Sequence, residues 1–297
     1  MNHSKSKGTY LVEEKINNWL NTCNFPTYQS PLYMANYLHG FIPEEQQRLI
    51  DQAGFLAPKI FKKIDFSGCK HLLEIGSGVG AQTQVLLSLF PQLKITCVDY
   101  SEAQVDKAKE NLRGFEDRVT FSVQNAMDLD LDQKFDSVYI CWVLEHIAEP
   151  RIVLEKVQRH LLPGAKVFLT EVFNSTHYTF PSLPFAQKYY KAYNDFQSRI
   201  GGHPNIGASL GNLLQQAGFT QISHWLGGFH LDQTHPEELK AMVSFWVKLM
   251  KSGAGHLIQA GLITEEEVRK MEEEYQKLPA NENAVFFIQF VQAFATV

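Results

Sequence analysis

His71-Leu72-Leu73-Glu74-Ile75-Gly76-Ser77-Gly78-Val79-Gly80 reads as a strand that runs into a tight glycine loop. Its apolar run holds one carboxylate, and three glycines alternate behind it. Thr83 to Phe90, just downstream, has the apolar spacing of a helix. Glycines at 76, 78 and 80 leave no Cβ between the loop and whatever approaches it. A nucleotide-like ligand is expected on this loop.

Outward from that loop, strand and helix patterns alternate. Strands are expected at 70–75, 94–99, 119–124, 135–142 and 165–172. Helices are expected at 81–90, 101–112 and 150–161, with Ser101 as an N-cap and Pro163-Gly164 as the turn into the last strand of the series. Strands alternating with helices predict an α/β fold with a doubly wound parallel sheet and right-handed crossovers. After Val172 the alternation lapses. Residues 173–200 are rich in aromatics, which could wall an apolar pocket or form the core of a cap. A helix at 205–218, a strand at 219–226, helices at 236–251 and 264–278 and a strand at 284–293 complete the chain. Upstream, Pro43-Glu44-Glu45 opens a helix whose apolar face is Leu49, Ile50, Ala53, Leu56 and Ile60. Two further helices are expected before it, at 10–20 and from Pro31.

The composition is that of a globular chain with a sizeable core: 297 residues, 44% hydrophobic and 20% charged, with a formal net charge of -5. An acidic balance without a basic stripe argues against DNA or RNA as partner, because phosphate contacts need Lys and Arg. Cys23, Cys69, Cys97 and Cys141 have no paired spacing, so a metal site is not expected and reduced thiols suit the cytoplasm. No apolar run reaches the roughly 18 residues that span a membrane.

Open parallel sheets bind ligands beyond the carboxyl ends of their strands. The glycines alone also fit a permissive dinucleotide pattern, so NAD(P)-dependent oxidoreduction stays open on them. Three other features discriminate. Glu74 would repel a pyrophosphate and suit a cationic ligand, unless it caps loop amides. Asp99 ends the second strand 23 residues after Gly76, where a carboxylate can accept two ribose hydroxyls. The loop Asn125-Ala126-Met127-Asp128 could border an adenine.

Taken together, Leu-Leu-Glu-Ile-Gly-Ser-Gly-Val-Gly, Val-Asp-Tyr-Ser, Gln-Asn-Ala-Met-Asp, Phe-Asp-Ser-Val-Tyr-Ile-Cys-Trp-Val-Leu-Glu-His, His-Leu-Leu-Pro-Gly-Ala-Lys-Val and Leu-Leu-Gln-Gln-Ala-Gly-Phe resemble the class I S-adenosylmethionine-dependent methyltransferases. The similarity covers residues 70–225 and is greatest to the small-molecule subgroup that includes ubiquinone and menaquinone biosynthesis enzymes. It implies a Rossmann-like seven-stranded sheet whose last strand is antiparallel. It also implies an N-terminal helical lid over 1–62, and a domain over 63–297 with cap inserts near 173–205 and 230–280. Residue by residue, the resemblance implies that Glu74, Gly76, Ser77 and Gly78 line the methionyl part of S-adenosyl-L-methionine. Asp99 would take the ribose, and Tyr100, Gln104, Asn125, Ala126 and Met127 would surround the adenosine. Cys141, Trp142 and Val143 would pass beside the sulfonium, and Arg48, helped by Tyr33 and Gln52, would meet the methionyl carboxylate.

The implied reaction is in-line transfer of the sulfonium methyl to a small-molecule acceptor, releasing S-adenosyl-L-homocysteine. Alignment and exclusion of water are the protein's main tasks in it. A hydroxyl acceptor would benefit from a general base. His146 after the fourth strand is the first candidate and Glu171 the second; His177, His203 and His230 are weaker. A binding protein that keeps the cofactor without turnover is the other reading, and the chain is expected to be a monomer or homodimer.

Overall fold

The computed structural model describes residues 38–40 and 42–297. Tyr33, Cys23 and the two helices expected before residue 38 lie outside the described residues. The alternating pattern gives β1 (His71–Ile75), α2 (Ala81–Leu89), β2 (Lys94–Asp99), α3 (Glu102–Asn111), β3 (Val119–Val123), β4 (Phe135–Cys141) and α4 (Pro150–Arg159). It continues with β5 (Leu161–Phe180), α5 (Pro184–Arg199), α6 (Leu210–Gln216), β6 (Thr220–Asp232), α7 (Pro236–Ser252), α8 (Ala254–Gln259), α9 (Glu265–Lys277) and β7 (Val285–Thr296). Before β1 stands α1 (Pro43–Ile60), opened by Pro43 with Glu44 and Glu45 in its first turn.

The seven strands form one sheet in the order β3-β2-β1-β4-β5-β7-β6. β1 to β5 are parallel, and β7 runs antiparallel to both β5 and β6. β1 lies between β2 and β4, so strand order reverses at its carboxyl end, which is where such sheets open a crevice. Successive side chains leave a strand on opposite faces. Leu72 and Tyr139 join the core beneath α1 and the cap, while Leu73 and Ile140 join the core against α4 and α6.

Several elements differ from the sequence expectation, among them the short α8, which no pattern marked. β5 does not stop at residue 172 but continues to Phe180, pairing Tyr178 with Phe287 after a register shift. β6 does not stop at 226 but continues to Asp232. Gly227 and Gly228 interrupt its apparent strand pattern, yet both are required by crowding. A Cβ at Gly227 would stand 2.1 Å from the Phe290 ring, and one at Gly228 would stand 2.4 Å from the Ile288 carbonyl. The aromatic stretch holds a full helix, α5. It buries Ala186, Tyr189, Tyr190, Tyr193, Phe196 and Gln197, a three-and-four spacing hidden among aromatics that also occur in strands.

Gln292 of β7 ties α1 to the sheet. Its amide nitrogen donates to the Ile60 carbonyl at 2.8 Å and to Thr170 Oγ1 at 3.0 Å, and its oxygen accepts the Trp225 indole N–H at 2.9 Å. Gln292→Leu keeps the volume but strands the Ile60 carbonyl and the indole. Urea unfolding is expected to register a loss of about 2–6 kcal/mol, from about 1–3 kcal/mol for each of the two groups left without its partner.

Candidate active site

The glycine loop leaves β1 with left-handed backbone at Gly76, Gly78 and Gly80 (φ +68°, +52° and +75°). Asp99 at the end of β2 fastens it, accepting the Gly78 N–H at 2.9 Å through Oδ2 and the Ser101 N–H at 2.9 Å through Oδ1. Gly76 is glycine for a second reason: a Cβ there would lie 2.3 Å from Val143 Cγ2, so the turn after β4 presses directly on the loop. A Cβ at Gly78 would meet nothing within 4 Å.

The turn after β4 is itself held from below. Trp142 adopts φ +55°, rare outside glycine. The Glu171 carboxylate, completely buried, accepts the backbone N–H groups of Val143 (3.0 Å), Leu144 (2.8 Å) and Glu145 (3.3 Å). Burial, with the charge of Glu145, pushes its carboxyl up to about 8 in spite of these donors. Glu171 is therefore a clasp for the turn; it is not among the cavity's lining residues, and its oxygens already serve three amides.

These two turns bound one cavity of about 260 Å³. At one end it is lined by Gly76, Ser77, Gly78, Asp99, Tyr100, Gln104, Asn125 and Ala126. In the middle lie Cys141, Trp142, Val143, His146, Arg48 and Gln52. The far end, beneath α5 and α7, is lined by Tyr190, Tyr193, Phe229, Met242, Trp246 and Phe290 among others. The aromatics thus divide between the two roles open in the sequence. Tyr190 and Tyr193 wall the cavity, while Tyr189, which donates to the Met250 carbonyl, belongs to the cap core.

Most of the expected site residues converge, with two exceptions. Glu74 does not reach the cavity lining. It shares the Leu72 face of β1, where its Oε2 accepts the Thr83 hydroxyl at 2.6 Å and lies 3.9 Å from Cys97 Sγ. Burial raises its carboxyl to about 7. Met127 is buried under the loop, where its backbone N–H donates to Asn125 Oδ1 at 3.0 Å. Arg48 does line the cavity, but it is forked onto Glu45 at 2.5 and 2.6 Å and donates to Gln52 at 2.5 Å. His146 lines the cavity with Glu145 Oε1 at 3.7 Å, and burial holds its pKa below the usual value. His203 is structural: its N–H binds the Glu145 carbonyl, and the bend at Gly202 is pressed against the same carbonyl. His177 is stacked on Trp246 with ring centroids 4.9 Å apart, outside the lining, and His230 lies on the exposed edge of β6. His39, Glu145 and Asn174 line the cavity without having been singled out. His39 stands within the Tyr-Leu-His-Gly-Phe segment, but its partners are more than 150 residues away and no local spacing marks it.

Residues 73–167 match the family described as methyltransferase domain. The malonyl-[acyl-carrier protein] O-methyltransferase of Bacillus cytotoxicus is 27% identical over 203 residues, which cover 68% of this chain and 67% of that protein. The demethylmenaquinone methyltransferase of Clavibacter sepedonicus is 28% identical, over 52% of this chain and 67% of its own. Among solved structures, Haemonchus contortus phosphoethanolamine N-methyltransferase 2 with phosphomonomethylethanolamine and S-adenosylhomocysteine matches with TM-score 0.52. That match has 15% identity and covers 98% of this chain and 75% of that one, a likeness of fold. These matches support a methyltransferase domain that uses S-adenosylmethionine and is similar to small-molecule methyltransferases of class I.

Glu74 gives a pH test of this geometry. Its pKa in the folded chain is raised from the ordinary 4.5 to about 7. Its stabilising contribution is therefore complete below about 4.5 and is lost as pH rises through about 7, a loss of about 3 kcal/mol. Glu74→Gln should remove that part of the slope when denaturant midpoints are followed from pH 5 to 8. An unchanged slope would mean that Glu74 titrates normally.

Proposed function

We propose that the cavity aligns the methyl donor along the glycine loop with a small, uncharged, largely apolar acceptor under the cap. One observation carries this reading. A single cavity runs from the loop that Asp99 fastens, past the turn after β4, to an aromatic chamber between α5 and α7. A donor end and an acceptor end therefore share one continuous space, with Cys141, Trp142 and Val143 between them.

The residues fit the donor. Ser77 Oγ is buried without a hydrogen-bond partner among the described residues, and the space above Gly78 is open, as a ligand lying on the loop requires. In this reading Asp99 holds the ribose hydroxyls, Tyr100, Asn125 and Ala126 border the adenine, and Gln104 supports that end. Gly76, Ser77 and Gly78 face the methionyl part. Arg48, braced by Glu45 and Gln52, would meet its carboxylate, and His146 borders the point of transfer. Glu74 and Met127 act one layer down, beneath the loops. When bound, S-adenosyl-L-methionine supplies an already activated methyl group. The chain's own residues then orient the acceptor and exclude water, worth several kcal/mol where geometry is near the line of attack.

The acceptor's charge follows from the lining. Arg48 is the one arginine or lysine among the described residues that line the cavity, and it is already forked onto Glu45. A phosphate or carboxylate acceptor would need a cation to meet it. The chain is accordingly proposed to work on a neutral molecule, in the cytosol, where Cys69, Cys97 and Cys141 stay as the free thiols they are here. Among the described residues no helix is long and apolar enough to cross a membrane.

Isothermal titration tests the donor end. S-adenosylhomocysteine should bind the wild-type chain, and NAD should not. Asp99→Asn should weaken that binding by about 10- to 100-fold, the worth of hydrogen bonds to a charged acceptor. The melting temperature of the variant checks that the loop still folds. NAD binding without S-adenosylhomocysteine binding would sink the proposal.

A further inference from the structure

His39, Tyr193 and Ser252 form a hydrogen-bonded chain in the wall of the acceptor chamber. His39 Nδ1 lies 2.6 Å from Ser252 Oγ, and His39 Nε2 lies 3.0 Å from Tyr193 Oη. Ser252 also donates to the Leu249 carbonyl at 2.7 Å, a back-bond within α7. A hydroxyl has one proton, and here the Leu249 carbonyl takes it. Ser252 can then only accept from His39, which puts the imidazole proton on Nδ1 and leaves a lone pair on Nε2. Tyr193 donates to that lone pair.

The pair stands beside His146, which the proposed function sets at the point of transfer. The His146 ring, from the turn after β4, meets the His39 ring edge-on with centroids 6.4 Å apart. His39, Tyr193, Glu145 and His146 all line the same cavity. Both ring nitrogens of His39 are engaged, by Ser252 and by Tyr193. Among the described residues, Arg48 from α1, His146 from the turn, Tyr193 from α5, Ser252 from α7 and His256 from α8 face His39, with Glu45 and Glu145 acting on His146. Burial first, then the charges of Arg48, His146 and His256, hold His39 well below the ordinary histidine value, so it is neutral near pH 7.

We propose that Tyr193 and His39 carry away the proton of a phenolic hydroxyl, making the chain an O-methyltransferase for a flat, uncharged phenol. The proposal rests on the methyltransferase reading above. The acceptor hydroxyl donates to Tyr193 Oη. Its oxygen lone pair forms the new O–C bond as the C–S bond breaks, and that electron pair stays on sulfur as the thioether of S-adenosylhomocysteine. The acceptor proton passes to Tyr193 Oη while the Tyr193 proton passes to His39 Nε2. One positive charge, the sulfonium, is consumed and one, the imidazolium, is formed; the imidazolium returns its proton to water after release. A neutral amine attacks with a lone pair it already has and needs no such path at the moment of transfer. Tyr190, Trp246 and Phe290 around the chamber supply faces for a planar ring.

The test uses the full chain with 2-naphthol and 2-naphthylamine as probes, reading S-adenosylhomocysteine formed by mass spectrometry and its binding by calorimetry. Wild type should methylate 2-naphthol and not the amine. Tyr193→Phe and His39→Gln should lower kcat about 100-fold, the usual worth of a proton acceptor, with KM and S-adenosylhomocysteine affinity within about threefold. In wild type, kcat should fall on the acid side of an apparent pKa below the ordinary histidine value, and His39→Gln should lose that limb. His39→Asn serves as a second variant should His39→Gln fail to bind S-adenosylhomocysteine. Wild-type kcat in folded variants, preference for the amine, or cofactor binding without methylation of 2-naphthol would each overturn the proposal. Failure of wild type to bind S-adenosylmethionine would instead overturn the donor reading.

Discussion

The Glu171 carboxylate, fully buried and accepting three successive backbone N–H groups, is the constraint on which the cavity depends. It fixes the chain just after Trp142 takes its left-handed turn. The turn so fixed puts the Val143 side chain against Gly76, and only a glycine tolerates that approach. A carboxylate on β5 thus sets the separation between the turn after β4 and the loop after β1. Without it three amides would lie buried without acceptors, each a cost comparable to a lost hydrogen bond. The positions of the two turns that bound the cavity both follow from this one clasp.

The same turn organises the cap. The Glu145 carbonyl receives the His203 N–H at 2.7 Å, and its carboxylate accepts the Gln197 amide at 2.9 Å. α5, which carries Gln197, also presents Tyr190 and Tyr193 to the chamber. A cap helix is therefore registered against the sheet edge by polar bonds, while its aromatics pack with Trp246 and Phe286. Apolar contacts alone would leave such a helix free to slide; the polar bonds fix its position along the edge.

The parallel half of the sheet was legible because burial on both faces leaves unbroken apolar runs between helical patterns. The glycine loop, Asp99 and the Asn125 loop were legible because one stretch of chain builds each. The antiparallel half was harder to read. β6 contains two glycines whose reason lies in β7, and β5 changes register after Phe173, so neither strand shows a clean alternation. Glu74 misled for an opposite reason. Its position beside the glycines suggests a ligand contact, but it lies two residues from Leu72, and the period of a strand sends both toward α2. His39 was illegible in principle, since its hydrogen-bond partners come from α5 and α7.

The charges around the cavity share one logic. Glu74 and Asp99 both sit above their ordinary carboxylate values, chiefly from burial, and Asp99 adds to the effect on Glu74. Holding buried carboxylates together without a cation is unfavourable, and the one guanidinium in the lining is already matched by Glu45. An opposite charge on the glycine loop would offset this, as it does for any buried carboxylate. The chamber beneath α5 and α7 brings no lysine or arginine of its own among the described residues; tyrosines, tryptophan, phenylalanines and methionines wall it.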